Sequence, residues 1–222
     1  MNNIPWIPLA VVAGVAAVVA LIGYVIWQSG KPGEDANAAA IAAEADSSTT
    51  LPGEWVNLPE IYGGAYGDDA KHVERAVDYE TDCTDDGTTC NSNPPVGGNH
   101  WGSAACPRDP DDATPFCGPP PWGIYREVWP AESLVHGMEH GGVVVWYNTD
   151  NTQVRDEIED IIKPMLDRGD LLIMAPYEDM ADNTIAVTAW SRIDKFSVTD
   201  YSKDRVEEFI GAHKRRFNPE DI

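Results

Sequence analysis

Residues 7–27 carry no charged side chain, and no other feature of the sequence limits its folding so sharply. A run of roughly 20 apolar residues is long enough to cross a bilayer, and only a helix or a closed barrel satisfies its backbone there. Trp6 and Trp27 bracket the run as interfacial anchors do. The competing reading is a cleaved secretory signal, with small residues at 36–40 for a peptidase. Against it, the apolar core exceeds the ~7–15 residues of a signal core, and no basic residue precedes it. The sequence predicts a single-pass transmembrane anchor over residues 1–29. Ala10, Gly14 and Ala17 recur at helical spacing, as do Ala13, Ala17 and Ala20, and small residues in that pattern let another membrane helix approach closely.

The formal side-chain charge of −22 falls entirely from Lys31 onward. Such acidity excludes nucleic acid and anionic membrane surfaces as natural partners and concentrates cations, although most of the carboxylates serve solubility. Four cysteines form two local pairs. Cys83 and Cys90 flank a turn-rich loop, and Cys106 and Cys117 flank a proline-bearing one. An even count without Cys-x-x-Cys reads as disulfides, so the pairs Cys83–Cys90 and Cys106–Cys117 are expected, in an oxidising compartment. The domain then lies outside the cytoplasm, on the far side of the cell membrane from the amino terminus.

Residues 30–54 have a linker's composition, and an α+β domain is expected over residues 55–222. Residues 73–79 alternate as a half-buried strand does, and residues 82–121 read as a long loop tied down by its disulfides. Residues 143–147, 171–175 and 185–190 are strand-like. Between the first two, Asp150 or Asn151 caps a helix with Val154, Ile158, Ile161 and Met165 on one face, Pro164 bending its last turn and Gly169 ending it. That strand-helix-strand run predicts a parallel pair. A final helix over residues 202–217 places Val206, Phe209, Ile210, His213 and Phe217 on one face, with Lys214, Arg215 and Arg216 complementing its carboxyl-end dipole.

The chemistry concentrates in Val135-His136-Gly137-Met138-Glu139-His140-Gly141-Gly142, with His100 upstream in Pro94-Pro95-Val96-Gly97-Gly98-Asn99-His100-Trp101. Imidazoles suit copper, zinc, iron and nickel, and a thioether shifts the preference toward copper. His136, His140, His100 and Met138 are therefore the candidate metal ligands, for copper ahead of zinc. An equally weighted reading has His136 and His140 bonding backbone carbonyls while the glycines turn the chain. His136 to His140 also matches the H-x-x-E-H pattern of inverted zinc metalloproteases. That pattern needs a stable helix, which Gly137 and the Gly141-Gly142 pair disfavour. His213 reads as a core histidine, and His72 as an exposed or structural residue at the start of a strand.

The blocks 94–101, Trp122-Gly123-Ile124-Tyr125, 134–148, Met174-Ala175-Pro176-Tyr177 and Thr188-Ala189-Trp190-Ser191-Arg192 together resemble domain-of-unknown-function family 3105, over roughly residues 55–217. The resemblance implies a bacterial membrane-anchored protein whose motif histidines fall on His100, His136 and His140, with Met138 and Glu139 between. It also implies the company of copper-dependent membrane proteins, hydrocarbon monooxygenases among them. The expected function is a non-catalytic accessory subunit of such a complex, with integral membrane subunits as partners. A free-standing metal-dependent hydrolase is the alternative.

Overall fold

The central strands of this protein are apolar on both faces because both faces are covered. The computed structural model describes residues 47, 49–64, 66–102 and 117–217, within one compact unit over Ala43–Ile222. The expected anchor, most of the expected linker and Cys106 lie outside the described residues, among which no helix is long and apolar enough to cross a membrane.

The elements run β1 (Glu54–Trp55), α1 (Leu58–Tyr62), β2 (Gly123–Ile124), α2 (Ala131–Glu139), β3 (Val143–Asn148), α3 (Thr152–Asp167), β4 (Leu172–Pro176), β5 (Thr184–Ala189), β6 (Arg192–Ser197) and α4 (Lys203–His213). The six strands form one mixed sheet in the order β1-β6-β5-β3-β4-β2. β3 and β4 pair in parallel, with Val144 opposite Ile173, and β2 extends the parallel part. β5, β6 and β1 continue from the other side of β3 as antiparallel neighbours.

Successive side chains of a strand point to opposite faces, and β3 shows the result. Val143, Val145 and Tyr147 join a core with Ile158 and Ile162 of α3 and Phe209 and Ile210 of α4. Val144 and Trp146 join the opposite core, with Leu134, Val135 and Met138 of α2 and residues such as Leu58, Tyr79 and Val96 from the amino-terminal segment. A strand buried on both sides reads as a continuous apolar run.

The two long helices begin where their caps predict. The side chain of Asn151 accepts from Val154 N–H, and that of Ser202 from Arg205 N–H. Pro164 lies inside α3, which nevertheless continues to Asp167 and ends before Gly169 at φ +83°. Three expectations are corrected. Residues 73–79 form no strand. They are a strap fixed by single contacts, Val73 N–H to His100 O (2.8 Å), Val77 N–H to Glu132 Oε1 (2.8 Å) and Tyr79 O–H to Asn99 O (2.7 Å). α4 ends at His213, and its three basic followers are engaged elsewhere: Lys214 with Asp170, Arg215 with Gly169 O and Arg216 with Trp190 O.

The third correction concerns α2, which is a helix through Glu139 despite Gly137. Every residue from Glu132 to Glu139 is buried, and tertiary packing outweighs the ~1 kcal/mol helix penalty of one glycine. A Cβ on Gly137 would lie 3.1 Å from Ile173 Cδ1 and 3.3 Å from the Trp122 ring, so this glycine is where α2 approaches the sheet.

Cys83 and Cys90 are bridged, Cys117 is disulfide-bonded, and no described cysteine is free. Residues at the end of the expected linker are hydrogen-bonded into the domain. Pro52 O accepts from His213 Nε2, and Gly53 O accepts from Arg192 Nη1.

Candidate metal centre

The strap and the Pro94–Trp101 turn meet at a two-residue parallel bridge between His72 and His100. His100 N–H donates to Lys71 O at 3.1 Å, and His100 O receives Val73 N–H. The turn approaches the core closely. Gly97 sits at φ +148°, and a Cβ there would come within 2.9 Å of the Trp190 ring and 2.5 Å of Leu58 Cδ1, so glycine is required. This turn delivers His100 to a fully buried position.

α2 supplies the opposing groups. His136 and Glu139 are three residues apart, on one helical face. The result is a cluster of His72, His100, His136 and Glu139 whose ligand atoms all lie within 4.8 Å of one another. The imidazole centroids are 4.8 Å (His72–His100), 5.0 Å (His72–His136) and 5.1 Å (His100–His136) apart. Glu139 Oε2 is 2.9 Å from His100 Nε2 and 3.6 Å from His72 Nε2.

The hydrogen bonds behind these rings define their tautomers. His100 Nδ1 lies 2.8 Å from Gly98 O, and His136 Nδ1 lies 2.6 Å from Trp101 O. A carbonyl oxygen only accepts, so each Nδ1 carries a proton and each Nε2 of the neutral ring presents a lone pair. Metal-binding histidines are oriented in this way, by donating the remote N–H to a backbone carbonyl or carboxylate. The carboxylate favours positive charge as well. Burial acts to raise the pKa of Glu139, but the hydrogen bond and charge of His100, with His72 and His136, outweigh it and leave the carboxyl below its usual value. Burial pushes His136 down to about 4, so its ring is neutral near pH 7.

A tetrahedral ion with bonds near 2.1 Å separates its ligand atoms by roughly 3.4 Å. The 2.9 and 3.6 Å contacts of Glu139 Oε2 bracket that edge, in a group whose ligand atoms lie within 4.8 Å of one another. The arrangement can therefore hold a metal ion with three imidazoles and one carboxylate, burying His100 completely and leaving the His72 side chain 42% exposed.

Two sequence-derived candidates, His100 and His136, are brought together here. His140 follows the last turn of α2, half-buried, with its ring 4.8 Å from that of His136 but outside the four-residue group. Met138 is placed differently. It is fully buried, and its sulfur receives the Thr188 hydroxyl at 3.2 Å, while Trp146 Nε1 donates to that same hydroxyl at 2.6 Å. Sequence reasoning passed over His72, and it noted Glu139 without choosing it as a ligand. The available signal for His72 was scarcity, since the chain has only five histidines against 37 carboxylates, and a lone histidine in a strap offers no spacing pattern.

No curated protein and no solved structure matches the chain. The profile of a family described as Protein of unknown function (DUF3105) matches residues 114–221. This segment holds β2 to β6 and α2 to α4, and with them His136 and Glu139, whereas His72 and His100 precede it. Over residues 114–221, just under half of its length, the chain is similar to the DUF3105 family.

Proposed function

We propose that the protein is a non-catalytic, metal-holding accessory subunit of a membrane complex, and that its exported domain binds one divalent copper ion through His72, His100, His136 and Glu139. The observation that carries the metal reading is the pair of Nδ1-to-carbonyl hydrogen bonds that turn the Nε2 lone pairs of His100 and His136 toward an ionised carboxylate. At 2.9 Å the Nε2 of His100 and the Oε2 of Glu139 are joined either by a proton on the ring or by a cation between them. The thioether argument for copper lapses with Met138 directed at Thr188. Copper stays ahead of zinc because Cu(II) is the tightest-bound first-row divalent ion at nitrogen and oxygen donors.

Four protein ligands fill a tetrahedral site, whereas catalytic sites keep a position open for water or substrate. Glu139, the residue a hydrolase would use as its base, is itself among the ligands. This favours holding a metal over turning over a substrate. The membrane-complex part of the proposal rests on the uncharged run of residues 7–27 and its stripe of small residues. The copper-dependent hydrocarbon monooxygenase named by the family resemblance is the candidate complex.

Metal analysis of the full chain, purified without chelators, tests the site. About one copper per chain is expected, falling to background in His100→Ala with His136→Ala. Mild detergent extraction tests the partner, with integral membrane chains expected to co-purify. A metal-free protein that takes up neither copper nor zinc at neutral pH would overturn the site, and a chain that always purifies alone would overturn the accessory role.

A further inference from the structure

The three imidazoles of the metal centre are not held alike. His100 is fully buried and donates from Nδ1 to Gly98 O, and His136 is 4% exposed and donates from Nδ1 to Trp101 O. Each of these rings is locked from behind. His72 differs on both counts. Its side chain is 42% exposed, its ring makes no hydrogen bond to any described residue, and it meets Glu139 Oε2 only at 3.6 Å. Partners behind a ligating histidine fix its orientation, and their loss typically costs about 10–100-fold in metal affinity.

The backbone beneath His72 is fixed all the same. Lys71 N–H donates to Asn99 Oδ1 at 2.9 Å, Lys71 O accepts from His100 N–H at 3.1 Å, and His100 O accepts from Val73 N–H at 2.8 Å. The strap therefore stays in place, and the ring leaves the centre by side-chain rotation alone, a fast motion for an exposed residue that no bond holds. Gly102 lies buried beside it. The three atoms nearest to a Cβ added there all belong to His72: Cγ at 2.9 Å, Nδ1 at 3.1 Å and Cβ at 3.3 Å. Glycine at this position gives the ring its room. His100, His136 and Glu139 are thus buried, and the one ligand that faces solvent is the one that no hydrogen bond locks.

We propose that His72 is the exchangeable ligand of the centre, and that copper passes there directly to or from another protein that presents a nitrogen or sulfur donor at its surface. The inference rests on the metal centre of the preceding subsection and adds to it a route and a partner. The incoming donor forms its bond to the ion as the bond to His72 Nε2 breaks, and the freed ring turns to solvent. One ligand replaces another and no electron is transferred. His100, His136 and Glu139 keep the ion in place until the new bond is made. A path and its reverse are the same, so this face serves loading as well as unloading.

Stopped-flow mixing of the copper-loaded full chain with the tripeptide Gly-Gly-His, a strong Cu(II) acceptor with its own visible absorbance, tests the route. The transfer rate should rise in proportion to tripeptide concentration, and should fall by less than about tenfold when the tripeptide forms the amino terminus of a folded domain too large to enter the core. His72→Ala replaces an exposed side chain and should transfer copper at least about tenfold faster. Gly102→Ala keeps all four ligands and displaces the His72 ring, so it should also transfer faster, with copper stoichiometry unchanged. A rate independent of tripeptide concentration shows that the ion leaves before the acceptor arrives and would overturn the proposal, as would wild-type rates in either variant or exclusion of the carrier-borne tripeptide. A chain that takes up no copper at all would overturn the metal centre itself, so the two failures are distinguishable.

Discussion

His100 Nε2 and Glu139 Oε2 meet at 2.9 Å while the other nitrogen of His100 donates to Gly98 O. Both acceptors face one buried ring, so either a second proton or a metal ion must supply the missing positive charge. Metal should therefore stabilise the fold. At a free concentration 100 times the dissociation constant the gain is about 2.7 kcal/mol, visible as a higher melting temperature that a chelator reverses. His72→Ala should remove most of this gain while barely changing the metal-free melt, because its side chain is 42% exposed.

Met138 and the histidines should separate cleanly under mutation. Met138→Leu conserves volume in the core and should cost less than about 1.5 kcal/mol, with metal stoichiometry unchanged, because the sulfur serves Thr188. Loss of metal in Met138→Leu, measured by elemental analysis of folded protein, would restore the thioether as a ligand.

The two glycines that let α2 lie against its surroundings differ in tolerance. At Gly137 an added Cβ meets side-chain atoms at 3.1 and 3.3 Å, and alanine's better helix propensity offsets the crowding, so Gly137→Ala should change stability by no more than about 1 kcal/mol. At Gly142 it would sit 2.6 Å from the Trp122 ring and 2.7 Å from Gly137 O, which is backbone. Gly142→Ala should destabilise by about 1–3 kcal/mol. Urea unfolding of the two variants side by side gives the comparison.

His213 ties stability to pH. Its Nε2 donates to Pro52 O, its Nδ1 receives Arg216 Nε, and burial lowers its pKa from 6.5 to about 4. The unfolded chain thus binds a proton near pH 6.5 that the folded chain refuses until about pH 4. The stability that this neutral ring contributes is complete above 6.5 and is lost as pH falls through that interval, by about 1.4 kcal/mol per unit at the steepest. His213→Gln should reduce the fall of the urea midpoint between pH 6.5 and 4, leaving the part that His136 contributes, and an unchanged slope would rule out His213 as a source.

Cys83 and Cys90 close a short loop, with a sequence separation of seven. Opening it by Cys83→Ala with Cys90→Ala should cost about 2–3 kcal/mol and leave metal content intact, since neither cysteine belongs to the cluster. Calorimetric melting with parallel metal analysis distinguishes this local loss from damage to the centre.

What the sequence disclosed and what it hid follow a physical rule. β3, β4, β5, α3 and α4 each carry their own signal, a β-branched run or a capped apolar face, and each was legible from it. β1 and β2 have two residues apiece and exist only through their partners. β6 includes Asp194 and Lys195 and was not read as a strand. In α2 the local penalty of Gly137 pointed away from a helix that packing then enforced. The centre divided similarly. His136 and His100 were visible from their motif blocks and Glu139 was noted without being chosen, whereas His72 reaches His100 through a bridge spanning 28 positions, for which sequence has no code.

The pairing of Glu54 with Ile193 has a consequence for the order in which the molecule is completed. The first strand made during synthesis must wait for the last strand before it has a neighbour, and contacts so distant in sequence form slowly. Over that interval the core of the amino-terminal segment lacks part of its cover, because Trp190 and Ile193 have yet to be made. A polypeptide stopped before β6 therefore keeps an open sheet edge as well as an incomplete core.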